Sequence, residues 1–290
     1  MTPKVSIVIP VRDAREDLPR LLAALAALDW PGHALETIVV DDGSTDGTSA
    51  ILAGERLTLI REPESRGPYA ARNRGARAAT GEWITFTDGD CAPRPDWLRR
   101  LFADPVEDGV GALVGEVLAL ETATPVQRFI ESRGFMRHAV TLPHKALPCF
   151  STANVAVRRD LLLSLGGFRE DVRFFGDMDL SWRMQLTRGA TLSFRPDAVV
   201  LHRHRRSVSG LWKQAVQHGQ GVAFMRRSHP DVYRIDGREQ LRRLGGLGAA
   251  AAAAALSPGA DAWRTPGYLA LWYGGLAWGY VKGPAWTIRA

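Results

Sequence analysis

Short, almost wholly apolar runs alternate with helical spacing at the start of the chain, and that alternation restricts the fold more than any single residue does. Val5-Ser6-Ile7-Val8-Ile9 is closed by Pro10, and Thr37-Ile38-Val39-Val40 stops at Asp41. Strands that are apolar on both faces belong in a sheet covered on both sides. Between them, leucines at 18, 21, 22, 25 and 28 keep helical spacing until Trp30-Pro31-Gly32 ends the helix. After the second strand, helix-start residues crowd Asp41-Asp42-Gly43-Ser44-Thr45-Asp46-Gly47-Thr48, Ile51-Leu52 begin an apolar face, and Leu57-Thr58-Leu59-Ile60 reads as a third strand. The pattern predicts an α/β fold built on a doubly wound, mostly parallel β-sheet flanked by helices. Ligands of such sheets gather beyond the carboxyl ends of the strands, where Asp42 and Asp88 both fall.

The chemically most pointed strand end is Glu82-Trp83-Ile84-Thr85-Phe86-Thr87-Asp88-Gly89-Asp90-Cys91. Two carboxylates separated by one glycine can converge on a hard divalent cation and, through it, on phosphate oxygens. Taken alone, the same three residues also make an ordinary Asp-Gly turn. Upstream, Gly67 to Gly81 is rich in glycine, arginine and alanine; as a helix it aims Arg72 at a phosphate-bearing cleft or leaves its arginines in solvent. Asp96 to Phe102 reads as a helix and Val110 to Leu120 as a further strand. The turn after the first strand, Pro10-Val11-Arg12-Asp13, has no Gly-x-Gly-x-x-Gly, which argues against a dinucleotide-dependent oxidoreductase.

A chain of 290 residues with 46% hydrophobic residues buries a full core, as one large domain or one plus an appendage. Its two cysteines, Cys91 and Cys149, give neither a disulfide framework nor a metal-finger spacing, and fit a reducing compartment such as the cytoplasm. Met1 to Val5 enters a strand without a signal-peptide pattern. The formal net charge of +6 is concentrated: Arg205 to Arg243 holds nine basic residues against three acidic ones. Such a segment suits an anionic membrane surface, an acidic substrate or nucleic acid, and with no nucleic-acid module in the sequence the last ranks lowest.

The ordered set of motifs resembles the family-2 glycosyltransferases and their GT-A nucleotide-binding fold. Val5 to Pro10 is similar to the family's opening strand, Val40 to Thr48 to its base-binding loop, and Ala71-Arg72-Asn73-Arg74-Gly75 with Thr80-Gly81-Glu82-Trp83 to the lead-in of its metal motif, Asp88-Gly89-Asp90. Ser151-Thr152-Ala153-Asn154 resembles the acceptor loop, Gly166-Gly167-Phe168 the segment after it, Phe175-Gly176-Asp177-Met178-Asp179-Leu180 through Arg183 the catalytic-base motif, and Val200-Leu201-His202-Arg203-His204 the histidine strand. The resemblance covers roughly residues 3 to 225. It implies a catalytic domain over 1–225, a C-terminal helical appendage over 226–290, and inverting transfer of a sugar from a nucleoside diphosphate sugar to a hydroxyl.

By the same resemblance, Asp42 would accept hydrogen bonds from the nucleobase, most simply uracil, with Pro10 and Arg12 lining that pocket and Arg72 and Asn154 completing the donor site. Asp88 would face the ribose or the metal, Asp90 would ligate Mn²⁺ or Mg²⁺, and one of His202 and His204, two apart on a strand, would approach that metal, His202 being preferred. Asp177 would be the general base. The family carries Glu-Asp there, whereas Gly176 precedes Asp177, so Asp179 competes for the role, its alternative being a helix-start carboxylate. Gln214-Ala215-Val216-Gln217-His218 lacks the arginine and tryptophan of the family's polymerases, which favours single-sugar transfer onto a glycan, a lipid-linked or a small-molecule acceptor.

Beyond Arg243 the chain is uncharged over Gly245–Ala260 and again over Pro266–Val281. Helices of that length span roughly 24 Å, short of a ~30 Å hydrocarbon core. Tyr268, Trp272, Tyr273, Trp278 and Tyr280 suit a membrane interface, and Gly275, Gly279 and Gly283 have the small-xxx-small spacing of close helix contacts. Three readings stay open: a peripheral membrane surface on the cytoplasmic face, packing onto the catalytic domain, or a homodimer contact. Rival functions are a nucleotidyltransferase, which would need a glycine-rich phosphate loop absent after the first strand, and a non-catalytic sugar-nucleotide or glycan binder, which Gly176 alone favours.

Overall fold

The computed structural model describes residues 2–31, 34–143, 147–233, 248–249, 251–255 and 264–283. In chain order the elements are β1 (Val5–Val11), α1 (Leu18–Ala26), β2 (Leu35–Asp42), α2 (Thr48–Leu52), β3 (Thr58–Glu62), α3 (Pro68–Ala78), β4 (Trp83–Phe86), β5 (Cys91–Pro93), α4 (Trp97–Leu101), β6 (Val110–Ala119), α5 (Pro125–Ser132), α6 (His138–Thr141), β7 (Val155–Arg158), α7 (Arg159–Ser164), α8 (Gly176–Arg188), β8 (Thr191–His202), α9 (Val208–Ser228) and α10 (Arg264–Lys282). Residues 1–120 and 135–203 form one compact unit; 121–134 and the described residues from 204 onward form a second. Helix α9 belongs to this second unit, where it pairs lengthwise with α10.

The first unit is built on one sheet in the order β3-β2-β1-β4-β7-β6-β8-β5. The parallel half matches the expectation: β3, β2, β1 and β4 run side by side in one direction. The other half is mixed, since β7 runs antiparallel to both β4 and β6, and β5 antiparallel to β8. The reversal matters for position. Phe86 at the carboxyl end of β4 pairs with Val155 at the amino end of β7, so the loop 151–154 lies at the same sheet edge as Asp88. Strand β8 runs parallel to β6, and its last residue, His202, faces Cys91 at the start of β5. Asp42, the turn 88–90, the loop 151–154 and His202 are thus delivered to one edge by register alone.

Both faces of the sheet are covered, as the uninterrupted apolar strands require. Val5, Ile7 and Ile9 pack with Leu18, Leu21, Trp83 and Trp97, all buried. On the other face Gly75 brings α3 against Val8 and Val40 so closely that any side chain there would collide with Val8. In the second unit, glycine does the same for α9 and α10: a Cβ at Gly219 would strike the Leu276 carbonyl, and one at Gly279 the Val216 carbonyl. Gly275 packs on Ala215 in that same contact, so Gly275 and Gly279 of the expected stripe are spent within the unit. Among the described residues no helix is long and apolar enough to cross a membrane. The basic residues from Arg234 to Arg243, and most of the uncharged stretch 245–260, lie outside the described residues.

Candidate active site

One helix holds the site together. Gly67, at the amino end of α3, has φ +100°, a conformation open to glycine. Asp42 secures that entry: Oδ1 accepts the Arg66 amide at 2.7 Å, and Oδ2 accepts the Ser65 hydroxyl at 2.7 Å and the Gly67 amide at 3.0 Å. Exposed Arg12 donates to Ser65 Oγ at 2.7 Å, bringing β1's loop to the same place. A carboxylate offers about four lone-pair sites, so these donors leave Asp42 room for roughly one more. Two residues into α3, Tyr69 reaches Asp177 Oδ1 with its hydroxyl at 3.3 Å. One turn on, buried Arg72 donates to Asp88 Oδ1 at 2.5 Å. Burial alone would lower the Arg72 pKa, but the charges of Asp88 and Asp177 and the hydrogen bond to Asp88 raise it overall, so the guanidinium stays charged. The solvated arginines of this helix are Arg74 and Arg77.

The turn after β4 sits against the end of β1. An ideal Cβ on Gly89 would lie 3.1 Å from Val11, so a larger residue would crowd that side chain, and 3.7 Å, an ordinary contact, from the Pro10 carbonyl oxygen. Asp88 and Asp90 remain partly open, their side chains 26% and 30% exposed. His202, held opposite Cys91 by the β5–β8 pairing, places Nε2 3.6 Å from Asp90 Oδ2. Ligand atoms of Asp88, Asp90 and Cys91 lie within 4.8 Å of one another. Burial, with Asp90 and Asp88 beside it, pushes the Cys91 thiol well above its ordinary pKa, and soft sulfur suits a hard, oxygen-seeking cation poorly. Two oxygen donors with a neighbouring imidazole remain, a set that fits Mg²⁺ or Mn²⁺ completed by substrate phosphates.

Helix α8 separates the two candidate bases. Its first turn carries both Asp177 and Asp179, where the helix dipole favours negative charge. Asp177 is half-buried and accepts from the Tyr69 hydroxyl, the Met178 amide at 3.0 Å and the Thr152 amide at 3.4 Å. Burial raises its pKa, opposed by Arg72 and these amides. Asp179 is 2% exposed and bonds Arg183 Nε at 2.8 Å, while Arg183 also donates to the carbonyls of Leu165 and Gly167. Asp179 is thereby committed to fixing the 165–167 turn, and its candidacy as the base is corrected accordingly.

Two further expectations are revised. Asn154 is fully buried: Nδ2 donates to the Glu116 and Ala198 carbonyls at 2.8 Å, and Oδ1 accepts the Trp97 indole N–H at 2.8 Å. All its polar atoms are spent tying β6, β8 and α4 together, so it has no group left for a sugar nucleotide. His204 does not share a strand face with His202, because β8 ends at His202; His204 is buried and pairs with Glu131 at 3.2 Å. Sequence reasoning passed over Tyr69 and His138. Buried His138 faces the Gly115 carbonyl through Nδ1 and accepts the Ser151 amide at 2.9 Å on Nε2, which anchors the loop that reaches Asp177. Tyr69 was legible in one respect: it stands three residues before Arg72, on the same helix face.

Residues 6–166 match the family model described as glycosyl transferase family 2. The chain belongs to glycosyltransferase family 2. This family-2 chain is 32% identical over 235 residues to the Pre-mycofactocin glycosyltransferase of Mycobacterium tuberculosis, a match covering 78% of the chain and 48% of that relative, so it spans about half that protein's length. It is 31% identical over 228 residues to the glycosyltransferase AglE of Haloferax volcanii, covering 76% of the chain and 73% of AglE. Among solved structures, the mannosyltransferase PcManGT of Pyrobaculum calidifontis, in complex with GDP-Man and Mn²⁺, superposes with a TM-score of 0.65 at 25% identity, covering 96% of the family-2 chain and 88% of the other. TarS of S. aureus, with UDP-GlcNAc, shares the fold at TM-score 0.55 and 20% identity, covering 85% of the family-2 chain and 80% of that chain.

Proposed function

We propose that this family-2 chain transfers one sugar from a nucleoside diphosphate sugar to an acceptor hydroxyl with inversion, and that Asp177 is the general base. The supporting observation is α3, whose Arg72 and Tyr69 bond Asp88 and Asp177, and whose amino end is held by Asp42. Pro10, Arg12 and Asp42 would form the base pocket, with the remaining Asp42 acceptor site for a nucleobase N–H. Asp88 and Asp90 would hold Mn²⁺ or Mg²⁺ with His202 beside them. A bound divalent ion supplies charge stabilisation for the departing nucleoside diphosphate. Arg72 adds a fixed positive charge at Asp88 and keeps that carboxylate oriented. Asp177 takes the proton of the acceptor hydroxyl as its oxygen attacks the anomeric carbon from the side opposite the leaving group.

The elevated Asp177 pKa suits a base, which works best when matched to the operating pH. The donor is read as a UDP-sugar. A GDP-sugar is the second reading, favoured by the likeness to the GDP-Man complex of PcManGT. The acceptor is a glycan, a lipid carrier or a small molecule. A thermal-shift panel of UDP- and GDP-sugars with and without Mn²⁺, followed by nucleoside diphosphate release, tests this reading, since a ligand bound by the native state raises its melting point. Stabilisation by neither series would remove it.

The second unit is proposed to rest on an anionic membrane surface. Trp278 and Val281 on α10 are 52% and 78% exposed, and Lys282 lies over the Trp278 ring at 5.4 Å. Trp212 on α9 is exposed as well, and Arg226 and Arg227 stand in the last turn of α9. Gly275 and Gly279 serve the α9–α10 contact. Salt-sensitive co-sedimentation with anionic but not neutral vesicles is the expected behaviour.

A further inference from the structure

We infer that Tyr69 is the positioning residue of Asp177, and that position 176 is glycine because the Tyr69 ring fills the space a side chain there would need. The inference rests on the reading of Asp177 as the base. A Cβ on Gly176 would lie 2.7 to 2.9 Å from three ring atoms of Tyr69. The sequence departure at Gly176 thus has a physical counterpart, with an aromatic ring from α3 set directly against the start of α8. The ring is itself held in place: it stacks on Phe168 at 5.5 Å with 21° between planes, and Phe168 meets Phe86 edge-on at 5.3 Å. Asn73 fixes Phe168 in turn, accepting its amide and donating to its carbonyl, both at 2.8 Å.

The hydrogen bonds have one direction. The Gly176 amide donates to Tyr69 Oη at 2.9 Å, which leaves the hydroxyl proton to go to Asp177 Oδ1 at 3.3 Å. Burial and the neighbouring Asp177 charge push the phenol pKa far above its ordinary value, so Tyr69 keeps its proton and remains a donor. With the Met178 amide also on Oδ1 and the Thr152 amide on Oδ2, the carboxylate is held from α3, from α8 and from the 151–154 loop. Tyr69 does not touch the reacting atoms; it acts through Asp177.

Tyr69→Phe retains the ring, its stack and its contact with Gly176, and removes the hydroxyl, which is both the donor to Asp177 and the acceptor of the Gly176 amide. With donor and acceptor saturating, its kcat should fall roughly ten- to hundredfold, the usual effect of a hydrogen bond to a charged group. Donor KM should stay close to wild type, while the melting temperature falls modestly because the buried Gly176 amide loses its acceptor. In the Asp177→Asn background the same change should cost nothing further, because the group it positions is gone. Gly176→Ala should lower kcat at least as much, as its methyl displaces the ring. Wild-type turnover in Tyr69→Phe beside an inactive Asp177→Asn would overturn the inference and leave the base assignment standing. A Tyr69→Phe loss that multiplies onto Asp177→Asn would overturn it too, since Tyr69 would then act elsewhere. An active Asp177→Asn would remove the base assignment itself, and the inference with it.

Discussion

The two halves of the sheet treat their carboxylates differently. On the parallel side, Asp88 and Asp90 stand at the end of β4 with about a quarter to a third of each side chain exposed, Arg72 on one and His202 near the other. On the mixed side, Asp177 is gripped by donors from α3, α8 and the loop before β7, and burial raises its pKa. The first arrangement suits an ion and phosphates that arrive with the substrate, since oxygen atoms must stay reachable. The second suits a proton acceptor, which needs a fixed direction and a poised pKa. On the proposed reading, one edge of one sheet carries a binding end and a reacting end, and α3 bonds a carboxylate at each.

The sharpest way to break that contrast is at Asp177. Asp177→Asn should reduce turnover by ~10²–10⁴-fold, the range of a general base, measured as nucleoside diphosphate release dependent on acceptor. Asp90→Ala should cost on the order of 10²-fold or more, with the loss of several kcal/mol of charge stabilisation, and should abolish the Mn²⁺-dependent thermal shift. Asp179→Asn separates chemistry from architecture. Breaking its buried pair with Arg183 should cost about 3 kcal/mol of stability by chemical denaturation, while the folded fraction keeps its kcat.

Smaller effects follow from titration. Because the folded state holds the Asp177 proton to a higher pH than the unfolded chain does, this group's contribution to stability is greatest at low pH and is lost as pH rises through its folded pKa. At neutral pH Asp177→Asn should therefore melt above wild type, an inactive yet more stable protein. His138 has the opposite sign. Burial lowers its pKa from 6.5 to about 4, so the unfolded chain takes up the proton first and stability falls as pH drops through that window. Replacing His138 with Gln should flatten the melting temperature between those pH values.

Much of the parallel half was legible from sequence because its strands are short, apolar on both faces and followed by turn and helix-start residues: β1, β2, β3 and β4 lie where their runs placed them. The turn at Asp88 was legible for the same reason. The mixed half was not, since strand direction is set by register with distant partners; nothing in Val155–Arg158 announces that it runs against β4. Asn154 shows the same limit at the level of one residue. Its motif neighbours suggested a ligand, but its fate is decided by Trp97, Glu116 and Ala198, all remote in sequence. Asp177 and Asp179 were indistinguishable by type and spacing. What sets them apart is Arg183, four residues beyond Asp179 on the same helix face, which pairs with Asp179 and not with Asp177.

Donor titration into the Asp177→Asn protein in the presence of Mn²⁺, with product release followed in the same sample, tests the division of labour most directly. The account predicts a nucleotide-sugar Kd equal to that of the wild type together with a loss of turnover of at least a hundredfold. Wild-type turnover, or a donor that no longer binds, would contradict it.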